Sequence, residues 1–301
     1  MPIKGFLVLS RLPFLSPGIA ALVTGIAIAA ADGFEPEPGL AWMSVGGIAL
    51  IMLATYYFNE YFDYEGDAMN KRFTKFSGGS RAIPDLKVPR PVARIAGWSA
   101  VALLVAIAVI YLLFYFDDFP CLLPLALYGA FCGIFYSHPP FQWSYQGVGE
   151  IVIGGCYGVL AIVSGYYIVS GTIEPDMVLV AIPASLTIFC VIVVNEFPDI
   201  DADRAVCKKN LVVRLGLKKA SVMYAAAMAA AYPFMLATVL VGMSPFIALV
   251  GLPVLILCAL AILELRNEGY AKHDPQSKMA AYTLLANLLS STLFIPVVFL
   301  W

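Results

Sequence analysis

The sequence predicts an all-α integral membrane protein, nine transmembrane helices in one bundle with the N-terminus cytoplasmic. Three observations predict it. Hydrophobic residues make up 61% of the 301-residue chain and charged residues only 13%, about half the ~25% charged share of soluble domains. Nine apolar stretches are each long enough to cross the roughly 30 Å hydrocarbon core as a helix of about 20 residues. Once nine spans are drawn, all 18 Lys and Arg residues fall on one side of the membrane, as the bias of basic residues toward cytoplasmic loops requires. The alternation expected of a membrane barrel is absent, which leaves helices as the structure that satisfies its own backbone in lipid.

The first span, near 12–31, follows Lys4 and Arg11; Pro13 and Pro17 and the lack of a cleavage site mark it as a span and not a signal peptide. The second, 40–62, ends in an acidic run and a basic loop that holds Lys71, Arg72, Lys75, Arg81, Lys87, Arg90 and Arg94. Spans at 92–116 and 119–137 are joined by the acidic "FDDF", and spans at 149–170 and 175–197 by "SGTIEPD". A second basic loop, Arg204 to Lys219, leads to spans at 218–241, 243–264 and 279–300, with Arg266, Lys272 and Lys278 before the last. Small-residue runs such as "AAAMAAAY" suit close helix packing in lipid. The six cysteines (Cys121, Cys132, Cys156, Cys190, Cys207, Cys258) show no paired spacing and read as packing residues, with neither a disulfide nor a metal centre implied.

One acidic sentence is written twice. "NEYFDYEGD" (59–67) returns as "NEFPDIDAD" (195–203), each at the cytoplasmic end of a span. On a helix, positions i, i+4 and i+8 share a face, so Asn59, Asp63 and Asp67 form one acidic face and Asn195, Asp199 and Asp203 another. Acidic residues commonly cap helix ends, but a register-matched second copy at membrane depth points to function. Opposed carboxylates need cations, and oxygen-only ligands suit Mg²⁺, which binds through a few carboxylates together with substrate phosphates. A basic loop follows each motif, 68–91 and 204–219, and the first carries Gly78-Gly79, where bare backbone can approach a phosphate. Acid for metal beside base for phosphate is the layout of a metal–diphosphate site. A phosphate head at the rim and an organic tail in an apolar bundle describe an isoprenyl diphosphate.

These residues resemble the UbiA superfamily of intramembrane prenyltransferases. The likeness rests on N-x-x-x-D-x-x-x-D at Asn59/Asp63/Asp67, D-x-x-x-D at Asp199/Asp203, and "RLPF" from Arg11 at the first span. It covers nearly the whole chain and implies a single domain, 1–301, of two pseudo-repeated halves. "NEFPDIDADRAVCKKNLVVRLG" (195–216) and "YSHPPFQWSYQGVGE" (136–150) are similar to the menaquinone-type enzymes, which prenylate 1,4-dihydroxy-2-naphthoate, while "GGSR" (78–81) stands where ubiquinone-, haem O- and ether-lipid-type relatives carry a different sequence. His138 and Cys207 depart from the glycines frequent in relatives.

The resemblance implies electrophilic aromatic substitution through an allylic cation, with two Mg²⁺ ions held by Asn59, Asp63, Asp67, Asn195, Asp199 and Asp203. Asp63, Asp199 and Tyr136 take the catalytic roles. Arg11, Asn59, Arg72, Lys75, Arg81, Ser137, Lys208, Lys209 and Arg214 are the diphosphate candidates. Tyr56, Tyr57, Tyr61, Tyr64, Phe135 and Tyr136 lie at the depth where aromatic faces stabilise a cation, although an interfacial aromatic belt explains such residues equally well. Glu150 and His138 are candidates for the acceptor, Glu150 doubling as a helix-start carboxylate, and His273 is assigned no role. Other acceptors (4-hydroxybenzoate, homogentisate, geranylgeranylglyceryl phosphate) stay open, and a cation-coupled transporter is the rival from another class. Expected partners are the isoprenyl diphosphate, the aromatic acceptor and membrane lipid, without nucleic acid or a required protein partner. The expected location is a prokaryotic plasma membrane with the site at its cytoplasmic face.

Overall fold

A computed structural model describes residues 3–300. Among these residues every regular element is helical. Seven helices are long and apolar enough to cross a membrane: α1 (Ile3–Ala31), α2 (Pro38–Phe62), α3 (Arg90–Phe114), α5 (Gly149–Ser170), α6 (Asp176–Ala205), α7 (Leu217–Val241) and α9 (His273–Phe299). Two shorter apolar helices, α4 (Leu122–Phe135) and α8 (Ile247–Leu263), stand where the other two expected spans fall. The 14 residues of α4 reach only about 21 Å at 1.5 Å per residue.

Three boundaries differ from the sequence reading, each for a local reason. Helix α1 starts near Ile3 and is broken at Arg11, whose φ of 46° and the following Pro13 turn the chain through a 3₁₀ segment, Leu12–Leu15. Helix α9 begins at His273, taking in the polar "HDPQSK". Helix α6 does not stop at the acidic motif but carries it as its last turns, continuing through Pro198 to Ala205.

The helices sort into two packed groups. Helix α2 packs on α3 and α4; α6 packs on α5, α7 and α9, with α8 against α7 and α9. Helix α1 lies along α5. Their contact is glycine-made: a Cβ on Gly25 would strike the Ile162 carbonyl, and one on Gly165 the Leu22 carbonyl, which is how small residues let membrane helices approach. Between α6 and α9 the glue is polar: Asn287 Nδ2 donates to the Ala184 carbonyl and to Thr187 Oγ1, both at 3.1 Å, and Thr187 Oγ1 lies 2.8 Å from Ser290 Oγ. Such hydrogen bonds hold helices together where lipid offers no hydrophobic drive. Outward, α3 presents Leu103, Val109, Leu113 and Phe114, an apolar face suited to lipid.

Candidate active site

The two acidic motifs meet across one cavity of about 160 Å³, lined by Arg11, Asn59, Asp63, Asp67, Tyr136, Asn195, Asp199, Asp203 and Lys208 of the predicted metal, diphosphate and catalytic residues. The first motif is not one continuous helix. Helix α2 ends at Phe62, Asp63 stands at the break (φ −86°, ψ 0°), and Asp67 sits on the short helix Tyr64–Met69. The amides of Asp63 and Asp67 still bond the carbonyls four residues back, at 2.8 and 3.0 Å, so the shared face survives the bend. The second motif rides wholly on α6.

Three of the four aspartates, Asp63, Asp199 and Asp203, are oriented by a partner. Asn59 Nδ2 donates to Asp63 Oδ2 at 2.7 Å and to Ser137 Oγ at 3.1 Å, so Ser137 supports the site from one bond behind. Asp199 accepts from Asn70 Nδ2 at 2.6 Å and from the Gly78 amide at 3.0 Å. Asp203 accepts from Asn210 Nδ2 at 2.7 Å. Lys208 Nζ stands between the motifs, 3.0 Å from Asp63 Oδ2 and 3.6 Å from Asp203 Oδ1. Burial works against the Lys208 ammonium, but Asp203 and Asp63 outweigh it and hold its pKa well above the usual lysine range.

The first basic loop closes over this end as a lid of backbone. Gly78 and Gly79 both have positive φ, 73° and 70°, and line the cavity. A Cβ on Gly79 would collide with the Asp67 carboxylate, so only glycine lets the chain pass here. Glu60 anchors the loop, accepting from Ser80 N at 2.6 Å and Ser80 Oγ at 2.7 Å, and it pairs with Arg11 at 3.7 Å. Asp67 is pushed well above the ordinary carboxylate range, first by burial and then by Asp63, Glu60 and Asp199.

Other predicted residues are not brought to the cavity. Arg72 donates to the Ala271 carbonyl and faces Asp201; Lys75 and Lys209 are exposed. Arg81 pairs with Asp85 and covers the Phe73 ring at 4.3 Å. Arg214 donates to the Lys209 carbonyl. His138 sits among Phe58, Phe62, Trp98 and Phe135. Glu150 is buried and accepts from the Leu211 amide at 2.6 Å; it ties down the second basic loop and does not cap its own helix. Of the aromatic candidates, Tyr56 and Tyr136 line the cavity. Tyr57 bonds Ser10, and Tyr61 lies under Arg90 and Arg94.

Several lining or supporting residues escaped the sequence reading. Tyr145 lines the cavity with its ring 5.5 Å from Lys208 Nζ. Glu196 lines it and leaves Oε2 buried without a partner. The repeat carried a signal for the glutamates, since Glu60 and Glu196 follow the two matched asparagines. Nothing in the sequence signals Tyr145.

Away from the acids the wall turns apolar, with Ile153, Tyr157, Ile188, Val191, Ile192 and Leu284. Tyr157 lies on a π-helical turn of α5, Gly155–Leu160, and its hydroxyl is 3.2 Å from that of Tyr56. It also lines a second, apolar cavity of about 350 Å³ between α2, α3, α4 and α5. Turns of this kind often mark functional sites.

The donor set fits a hard divalent ion. It is all oxygen, and Asp63 Oδ1 and Asn195 Oδ1 are buried with no hydrogen-bond partner, a costly arrangement unless a ligand completes it. Among the described residues no three His, Cys, Asp or Glu gather closely enough to hold a metal ion unaided.

Fold and site define a class: an intramembrane helical bundle with an oxygen-rich, cation-demanding pocket at one end of an apolar interior. The chain belongs to the UbiA prenyltransferase family, whose model matches residues 18–289. It is 26% identical over 206 residues to the 1,4-dihydroxy-2-naphthoate octaprenyltransferase of Bacillus subtilis (strain 168), covering 68% of this chain and 64% of the relative. It is 35% identical over 99 residues to the chloroplastic 2-carboxy-1,4-naphthoquinone phytyltransferase of Arabidopsis thaliana, covering 29% and 25%. In both, the match spans less than two thirds of the relative's own length. Among solved structures it resembles in fold a UbiA homolog from Aeropyrum pernix K1 (TM-score 0.66, 18% identity, 89% of this chain and 94% of that one). A UbiA homolog from Archaeoglobus fulgidus bound to GPP and Mg²⁺ is similar too (TM-score 0.64, 14% identity, 97% and 100%).

Proposed function

We propose that this protein transfers a prenyl group from an isoprenyl diphosphate to an aromatic acceptor within the membrane, in a Mg²⁺-dependent reaction, with 1,4-dihydroxy-2-naphthoate as acceptor. One observation carries the reading: two acidic motifs from separate helix groups face each other across a cavity that turns apolar and shares Tyr157 with a second, apolar cavity of about 350 Å³. The Mg²⁺- and GPP-bound fold relative supports the metal and the donor class. The naphthoate and naphthoquinone enzymes among the relatives support the acceptor and a role in quinone biosynthesis. A chlorophyll synthase of Oryza sativa, 27% identical over 163 residues, keeps a second acceptor class in view.

In this account Asp63, Asp67, Asp199 and Asp203, with Asn59 and Asn195, would hold two Mg²⁺ ions. Bound there, Mg²⁺ neutralises the charge that develops on the leaving diphosphate. The chain supplies the rest. Arg11 and Lys208 bring positive charge to the same wall. The Gly78-Gly79 backbone covers the head and excludes water. Tyr136, Tyr56 and Tyr157 present aromatic groups where the allylic cation forms, each face stabilising a cation by about 0.5–2 kcal/mol. The acceptor carbon attacks that cation with its ring electron pair, and aromaticity returns when that carbon loses its proton or, in the naphthoate case where it carries the carboxylate, when the C–COO− bond breaks and CO2 leaves in place of the proton. The two shorter helices and the basic loops complete nine spans with the N-terminus and the site on the cytoplasmic side of a prokaryotic plasma membrane, an arrangement supported by the sidedness of Lys and Arg.

The test is an acceptor panel. Purified protein in lipid is given Mg²⁺, radiolabelled geranylgeranyl diphosphate and either 1,4-dihydroxy-2-naphthoate or 4-hydroxybenzoate. A prenylated naphthol that disappears with EDTA is expected. Product from hydroxybenzoate alone overturns the acceptor assignment, and an intact diphosphate with every acceptor, together with cation movement across sealed vesicles, overturns the reaction in favour of a transporter.

A further inference from the structure

We propose that Lys208 is a built-in counter-cation that holds Asp63 and Asp203 together and must be displaced before a divalent ion occupies them, so that metal enters with the diphosphate and not ahead of it. The inference rests on the metal–diphosphate reading and adds an order to it. Lys208 Nζ lies 3.0 Å from Asp63 Oδ2 and 3.6 Å from Asp203 Oδ1, joining two motifs from different helices. An ammonium within salt-bridge distance of both carboxylates blocks a metal ion on those same oxygens, because two cations cannot share them at contact distance. The groups nearest the ammonium are Asp63, Asp203, Tyr136 and Tyr145, and Glu196, Asp199 and Asp67 on the same cavity also feel its charge. No second basic side chain is among them.

The backbone fixes this placement. Cys207 takes the left-handed conformation (φ 59°), and the amides of Val206, Cys207 and Lys208 bond back to the carbonyls of Ala202, Arg204 and Asp203. That reversal at the end of α6 aims residue 208 at the helix's own last turn. The remaining oxygens are unequally placed: Asp203 Oδ2 is held by Asn210, whereas Asp63 Oδ1 is buried and unpartnered. A ligand that offers the ammonium an anion elsewhere therefore frees Asp203 Oδ1, leaves Asp63 Oδ2 with its bond from Asn59 alone, and finds Asp63 Oδ1 waiting. A diphosphate does this. Lysine suits the task, being a point charge on a flexible stem where arginine's rigid fork favours a fixed pair.

Such an exchange is a coupling between two ligands, and coupling is reciprocal, typically about 5- to 150-fold. The experiment titrates Mn²⁺ into the purified protein, following free Mn²⁺ by EPR, with and without inorganic pyrophosphate as probe. Wild type should bind Mn²⁺ weakly alone and at least about fivefold more tightly with pyrophosphate. Lys208→Met should bind Mn²⁺ alone more tightly than wild type by a similar factor and lose most of the pyrophosphate effect, and Lys208→Gln, a polar substitute that guards against a folding defect, should do the same. Lys208→Arg keeps the charge as a more fixed pair and should bind Mn²⁺ alone no more tightly than wild type; tighter binding than wild type would overturn the counter-cation role. Pyrophosphate-enhanced binding in wild type with no gain in the Met and Gln variants overturns the counter-cation role alone. No Mn²⁺ binding in any protein, with or without pyrophosphate, overturns the metal–diphosphate reading and this inference with it.

Discussion

Asn70 Nδ2 donates to Asp199 Oδ1 at 2.6 Å, so the loop that leaves the first acidic motif grips the second, 129 residues along the chain. The Gly78 amide takes the other oxygen of the same carboxylate at 3.0 Å. Asp199 is thereby aimed from outside its own helix. Groups that orient a metal-binding carboxylate typically contribute about 10–100-fold to metal affinity or activity. Asn70→Ala should accordingly raise the Mg²⁺ concentration for half-maximal prenyl transfer by about 10–100-fold, read from a metal titration. An unchanged titration would leave the loop without a role in the site.

Gly79 is the tightest passage in that loop. Its φ of 70° costs any other residue about 1–2 kcal/mol, and a Cβ there would strike the Asp67 carboxylate. Gly79→Ala should lower thermal stability by a few degrees and cut turnover at least about tenfold by moving Asp67. Gly33, also at positive φ but with open space around it, is the control: Gly33→Ala carries the backbone cost without the loss of turnover.

Cys207 stands in a left-handed conformation at the end of α6, the position where helices prefer glycine. Cys207→Gly should stabilise the protein by roughly 1 kcal/mol, about 2–4 °C in Tm for a chain of this size class, with prenyl transfer retained. A fall in Tm would contradict it.

Much of this site was legible because it repeats. Matched acids in register exposed Asn59, Asp63, Asp67, Asn195, Asp199 and Asp203 without any contact information, and all six reach one cavity. The basic residues were less legible. Lys and Arg accumulate in cytoplasmic loops whatever their task, so spacing alone did not separate Lys208, aimed inward by Cys207, from Lys209 beside it, which is exposed. The break at Asp63 was invisible to a periodicity argument because helical hydrogen bonding continues through it. Tyr145 and Asn70 reach the site from loops, where position is set by the fold and not by local pattern.

Asp67 makes stability depend on pH. Its pKa is raised by burial and by Asp63, Glu60 and Asp199, so the folded state holds the proton more tightly than the unfolded chain. That contribution is full below the unfolded value of about 3.9 and is lost as pH rises through the raised folded value. In EDTA, Asp67→Asn should therefore gain Tm over wild type at about pH 8 and gain little near pH 4. Equal differences at both pH values would contradict the shift.

The central claim is that the two acidic motifs act as one site on one ligand. A double-mutant cycle tests it directly: Mg²⁺-dependent binding of radiolabelled geranylgeranyl diphosphate to wild type, Asp63→Ala, Asp199→Ala and the double variant. Groups that work as a unit are non-additive, so each single change should remove nearly all Mg²⁺-dependent binding and the double variant should be little worse than either. Losses that add independently, or binding that persists in EDTA, would mean that the motifs do not share a metal-bound diphosphate.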